Sequence, residues 1–299
     1  MKMRGKTLVL AAALAVGLVA APARAAEEFA YCDPLAPAGG ALGRGGDTRE
    51  PDLGQTHADM PASAKGRAGK SFRATVPVYF HVVTDGATGA LTSAQIAAQI
   101  AVLNTTFSGG EGGANAGFRF VLAGTTRTDN AGWFYANPGG TGEHTMKRTL
   151  RRGGTDALNL YSTTAGDYLG WAYLPDITTK PGQAYLDGVV VDWESLKGTS
   201  TTYAGRYDQG ETATHEVGHW LNLEHTFYGG CSAKGDFVAD TPAQKTPTSG
   251  CPAGKDTCKA PGLDPIHNYM DYSYDSCYTE FTAGQVQRMR DAWLLYRAA

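Results

Sequence analysis

Apolar positions along the chain alternate between two periods. Residues 76–83 (Val76-Pro77-Val78-Tyr79-Phe80-His81-Val82-Val83) are dense in β-branched and aromatic side chains, the pattern of a buried strand. From about residue 93 to 107 the period lengthens. Ile96, Ile100, Leu103 and Phe107 recur at three- and four-residue spacing and mark one helical face. Further strands are predicted at 118–123 and 157–161 and near 169–174 and 188–193, with a short helix near 143–151. A helix is predicted over about 211–222, followed by an irregular stretch rich in Cys, Gly and Pro. A last helix opens at Thr282, where Thr282-Ala283-Gly284-Gln285 matches a capping box. Val286, Met289, Trp293 and Tyr296 give it an apolar face. This order predicts an α+β domain, a mixed sheet with helices packed on it.

Before residue 73 the pattern lapses. Residues 26–72 are rich in Gly, Ala, Pro, Asp and Arg, a composition that cannot bury enough apolar surface to fold alone. They read as a largely irregular pro-segment, with Lys65, Arg67, Lys70 and Arg73 as processing points. Residues 1–25 read as a signal peptide. Lys2, Arg4 and Lys6 precede a short apolar run, and Ala23-Arg24-Ala25 offers small residues at the cleavage position. That run is too short to span a membrane comfortably, and nothing later is long and apolar enough. A secreted, extracellular protein without a membrane anchor is expected, with a catalytic domain over 73–299 divided at residue 222/223. The net charge of −3 argues against nucleic-acid binding. A monomer is expected.

Export changes how the five cysteines are read, because it permits disulfides. Cys231, Cys251, Cys258 and Cys277 allow three pairings. A four-cysteine zinc site is the rival, but no Cys-x-x-Cys pair exists. Cys32 stands apart in the pro-segment. A thiolate there is a candidate latency switch, able to take an open metal position, against the plainer reading of a spare thiol.

The candidate chemistry lies in His215-Glu216-Val217-Gly218-His219. Four helical residues make about 400° of rotation and about 6 Å of rise, so both imidazoles leave one face, one turn apart. Such a pair suits one zinc ion, and Glu216 sits beside it, placed to take a proton from water. His225 lies six residues on. A continuous helix would carry it roughly 600° round, to the wrong side. The helix must therefore end between His219 and His225 and the chain must turn back. Asn222 supplies a residue that tolerates the left-handed turn.

The stretch His215 to Phe227 resembles the extended zinc motif of the metzincin metallopeptidases, and within them the pappalysin or cytophagalysin family. Thr226-Phe227 after the third histidine and Asn268-Tyr269-Met270-Asp271-Tyr272, similar to that family's Met-turn, carry the likeness. It runs from about Thr75 onward and departs at Asn222, where metzincins usually carry Gly. The resemblance implies a twisted five-stranded metzincin sheet and an irregular, disulfide-stapled C-terminal subdomain. It implies a zinc endopeptidase with His215, His219 and His225 as ligands and Glu216 as general base and acid. Met270 would form the floor beneath the zinc, and Tyr272 would assist catalysis. An extended protein or peptide substrate would pair with an edge strand near 169–174. The resemblance further implies Cys231–Cys258 and Cys251–Cys277 disulfides, and calcium binding in the region of Asp236 and Asp240. Related enzymes favour a basic residue just after the cut, which needs an acidic pocket wall. Asp271, Asp275 and Glu280 are available for it, and the sequence does not choose among them. An inactive zinc-binding module on the same fold is the alternative; the intact Glu216 argues against it.

Overall fold

The computed structural model describes residues 50–199 and 201–298. The signal-peptide stretch and Cys32 lie outside the described residues. Five strands form one sheet: β1 (Ala74–Thr84), β2 (Phe118–Asp129), β3 (Leu158–Thr163), β4 (Gly170–Ala172) and β5 (Val189–Asp192). Their spatial order is β2-β1-β3-β5-β4. All neighbours are parallel except β4, which runs antiparallel to β5 at the edge.

Strand period explains the layering. Successive side chains leave opposite faces. Val76, Val78, Phe80 and Val82 of β1, with Val189 and Val191 of β5, join one core, whereas Val83 and Val190 join the other. Both faces of the central strands are thus covered, as parallel strands require. The first face carries α1 (Ser93–Phe107), α4 (Glu211–Trp220) and α5 (Ala283–Ala292). The second carries α2 (Ala131–Phe134) and α3 (Thr141–Leu150), with Phe134, Met146 and Leu150 buried against Tyr161 and Trp171.

Helix starts follow local chemistry. Thr92 and Gln95 form a capping box at α1, and Thr282 and Gln285 form another at α5. The C-terminal face departs from expectation. Trp293 is buried but Tyr296 is only half-buried, because the chain widens into a π-helical turn at Trp293–Arg297. That turn rotates Arg297 inward, where it is fully buried. Residues 223–282 contain little regular structure and are crossed by disulfides Cys231–Cys258 and Cys251–Cys277, the pairing that the resemblance implies. No helix among the described residues is long and apolar enough to cross a membrane.

Candidate metal centre

Helix α4 lies under the β4 edge and is buried along its whole length. Gly170 of β4 is needed there, because a Cβ would meet Val190 O at 2.7 Å and Glu216 Oε1 at 2.9 Å. The helix ends at Trp220, two residues short of the predicted Asn222. Asn222 adopts φ +76°, a left-handed turn that carries the chain back toward the helix axis. Two bonds fix this turn: the Leu223 amide donates to Gly218 O (2.9 Å) and Arg288 Nε donates to Asn222 O (2.7 Å).

The turn brings three imidazoles together. Nε2 of His219 lies 3.2 Å from Nε2 of His215 and 3.1 Å from Nε2 of His225. Three nitrogens on one tetrahedral zinc at about 2.0–2.1 Å would stand about 3.3 Å apart, so the set fits a single ion. The tautomers fit as well. Nδ1 of His215 faces Tyr269 O at 2.5 Å and Nδ1 of His219 faces Leu223 O at 2.7 Å. A carbonyl only accepts, so each Nδ1 carries the proton and each Nε2 offers a lone pair to a metal. Glu216, 2% exposed, places Oε2 beside this cluster with no hydrogen-bond partner among the described residues. A buried carboxylate oxygen left open next to three aimed imidazoles is what a metal and its water would satisfy.

Met270 is fully buried below α4. A Cβ at position 218 would overlap its Sδ. Gly218 therefore lets the Met-turn approach the helix between the two histidines. Gly218→Ala is expected to destabilise the chain by about 1–3 kcal/mol by overpacking, and to weaken metal binding. Urea unfolding and zinc titration check this. The Tyr272 ring stands 4.9 Å from the His225 ring and 5.7 Å from that of His215.

A pocket opens beside the cluster, lined by Leu169, Gly170, Tyr207, Glu211, Thr212, Asp275 and Tyr278. Two buried carboxylate oxygens within it, Glu211 Oε2 and Asp275 Oδ1, have no partner among the described residues. Burial, with Asp275 and Glu111 nearby, pushes the Glu211 carboxyl up to about 9. Burial pushes Asp275 up to about 7, with Asp208 adding to it and the amides of Gln209 and Glu211 opposing. Of the acidic residues after the Met-turn, Asp275 is the one on this pocket. Asp271 is buried and accepts from the Thr248 amide (2.9 Å) and from Gln244 (2.9 Å). Glu280 does not line this pocket. Glu211 escaped the sequence reading although a signal existed: it precedes His215 by four residues, on the same helical face.

A further residue was not foreseen. Glu50 places Oε1 2.6 Å from His215 Nε2 and 3.2 Å from His225 Nε2, and Oε2 3.2 Å from His219 Nε2. Its amide donates to the Tyr272 hydroxyl at 3.2 Å. Burial pushes the Glu50 carboxyl up, but the three imidazoles outweigh it and hold it well below its ordinary value. The Glu216 carboxyl is held well above its own, by burial first and then by the Glu50 charge.

Asp236 and Asp240 serve separate roles. Asp236 accepts from the Thr241 hydroxyl (2.7 Å) and the Val238 amide (3.1 Å). Asp240 accepts from Thr282 (2.7 Å) and the Gly284 amide (2.8 Å) at the start of α5. Neither belongs to a group of three or more metal-ligating side chains among the described residues.

Comparison with known proteins agrees with this geometry. The peptidase family M43 model, described as pregnancy-associated plasma protein-A, matches residues 168–293. An extracellular metalloprotease of Arthroderma benhamiae is 46% identical over 231 residues, covering 75% of this chain and 74% of its own. One from Sordaria macrospora is 42% identical over 99% of both chains. Among solved structures, mature mirolysin of Tannerella forsythia in complex with a cleaved peptide is 34% identical at a TM-score of 0.62, covering 74% of this chain and 91% of that one. A mutant promirolysin from the same organism is 31% identical at a TM-score of 0.64, covering 75% and 81%. Sheet, disulfides and relatives together define a metzincin-type zinc metallopeptidase. Within that class the chain belongs to the pappalysin family, and it is a metalloendopeptidase.

Proposed function

We propose that this chain is an exported zinc endopeptidase that cuts proteins or peptides outside the cell, preferring a basic residue just after the cut. The convergence of three Nε2 atoms beside the unpartnered Glu216 Oε2 carries the catalytic part of this reading. Export rests on the signal-like stretch and on the relatives named as extracellular.

His215, His219 and His225 would hold the zinc, which when bound supplies Lewis-acid polarisation of a water molecule and of the scissile carbonyl. Glu216 takes the water's proton and passes it to the leaving amine. The Tyr272 hydroxyl donates to the oxygen as charge develops on it. Ala172 O at the end of β4 and the Leu174 amide just beyond it offer a substrate backbone its hydrogen bonds. Chelation should abolish casein hydrolysis and zinc should restore it. Hydrolysis that persists in a metal-free preparation would exclude this mechanism.

Glu211 and Asp275 make the pocket beside Glu216 a receptor for Lys or Arg. Asp275 is neutral below about 7 and ionises above it. Preference for Arg over Leu after the cut should therefore rise from about pH 6 to about pH 8, where Asp275 bears a charge. Asp275→Asn is expected to flatten that rise and to lower the preference roughly thirtyfold, about 2 kcal/mol. Ratios of kcat/KM on paired peptides measure both effects.

A further inference from the structure

Three imidazoles converge at the metal centre, but they are not held alike. His215 and His219 each have Nδ1 bonded to a carbonyl, Tyr269 O and Leu223 O respectively. Among the described residues His225 bonds only through Nε2. Its side chain is also the most exposed of the three, at 20% against 8% and 6%. The His225 ring stacks on Phe227 at 4.7 Å and 8°, which restrains its tilt but leaves it free to slide. A third ligand without a carbonyl anchor must be placed by its own backbone, and so by its neighbour Thr226.

Thr226 is tied to the Met-turn twice. Its amide donates to Met270 O at 3.1 Å. Its hydroxyl donates to Gln244 Oε1 at 2.6 Å, and Gln244 Nε2 donates to Asp271 Oδ2 at 2.9 Å. A carboxylate only accepts, which turns the amide nitrogen toward Asp271 and leaves the amide oxygen for Thr226. The same nitrogen donates to Thr246 O at 2.9 Å and to Thr248 Oγ1 at 3.1 Å. Asp271 also accepts from the amides of Thr248 and Tyr272, at 2.9 and 2.8 Å. Thr226, Gln244 and Asp271 are all buried, so little solvent competes for these bonds. One carboxamide thus spans from the residue beside His225 to the residue between Met270 and Tyr272.

We propose that Gln244 is a positioning residue of the metal centre, setting His225 against the Met-turn through Thr226 and Asp271. This rests on the metallopeptidase reading above. Groups that orient a metal ligand from behind typically carry roughly 10–100-fold in metal affinity.

Zinc affinity tests this without turnover. Full-length chains are freed of metal and titrated with zinc against a chromophoric chelator, and the melting of each zinc-free chain is recorded. Gln244→Leu removes every bond of the carboxamide, and its zinc dissociation constant should rise about tenfold or more. Thr226→Val keeps the shape of the side chain and removes only the hydroxyl donor, and it should weaken zinc in the same direction. Thr226→Ser keeps the donor and drops the methyl, and its affinity should stay close to that of the unaltered chain. A packing role for Thr226 predicts the reverse order. Leu150→Ala, in the core on the opposite face of the sheet, should melt lower with unchanged zinc affinity. Unchanged affinity in both Gln244→Leu and Thr226→Val overturns the proposal. So does a loss in Thr226→Ser or Leu150→Ala as large as that in Thr226→Val. If Gln244→Leu fails to fold, the two Thr226 variants decide alone. Should His225→Ala bind zinc as tightly as the unaltered chain, or the unaltered chain bind none, the metallopeptidase reading itself is lost.

Discussion

Glu216→Ala in the processed chain is expected to lower kcat roughly 10²–10⁴-fold while leaving zinc content unchanged. The two halves of this result have separate causes. His215 and His219 are held by Tyr269 O and Leu223 O, and neither bond involves Glu216. The metal seat therefore survives the substitution. What goes is the group proposed to take the proton from water and return it to the leaving amine. Glu216→Gln keeps the volume beside Gly170 and should fail equally, because an amide cannot carry the proton. Metal content by mass spectrometry, with single-peptide kinetics, reads both halves. A variant that keeps zinc and full turnover would remove Glu216 from the mechanism.

Arg297→Ala should have the largest effect on stability, about 3–5 kcal/mol, as expected when one member of a buried ion pair is removed. The guanidinium is fully buried. It donates to Asp187 Oδ1 at 3.0 Å and to Thr155 O at 3.0 Å. It also donates twice to Trp220 O, at 2.7 and 3.0 Å, and lies 3.5 Å over the Trp220 ring. Trp220 ends α4, where a helix leaves carbonyls without internal partners. Arg297 satisfies one of them from the far end of the domain. Its loss would leave the fully buried Asp187 with only its longer contact to Arg151, at 3.5 Å, and free the end of the helix that carries His215 and His219. For a domain of this size the melting temperature should fall by roughly 6–20 °C. Urea unfolding at constant m tests the free energy. A change under 1 kcal/mol would mean that water replaces the guanidinium.

The contrast between legible and illegible parts is physical. Strand and helix positions were readable because burial imposes a period on local sequence, and the β1 and α1 patterns are unbroken. The break after α4 was readable because His225 cannot share a face with His219 on a continuous helix. Asn222 at φ +76° carries that turn. Glu50 was not readable. Its contacts run from His215 to Tyr272, the latter 222 residues away, and it lies in a stretch with no period at all, where a lone glutamate among Gly, Pro and Asp carries no local mark. Arg297 was hidden for another reason: a π-helical turn shifts the buried face by one position, and three-and-four counting assigns that face to Tyr296.

The sheet has two open edges, and an open edge is a template on which another chain can stack. At β2 Val121 and Leu122 are exposed, but Arg119, Thr125, Arg127 and Asp129 around them are charged or polar and discourage addition. The β4 edge carries no charged residue. That edge is instead three residues long, and Gln55 holds its outward Ala172 carbonyl and the nearby Leu174 amide. Gln55 thus occupies backbone groups on which a neighbouring copy could stack strand to strand. An uncut chain should accordingly stay dispersed at concentrations where the processed one begins to associate.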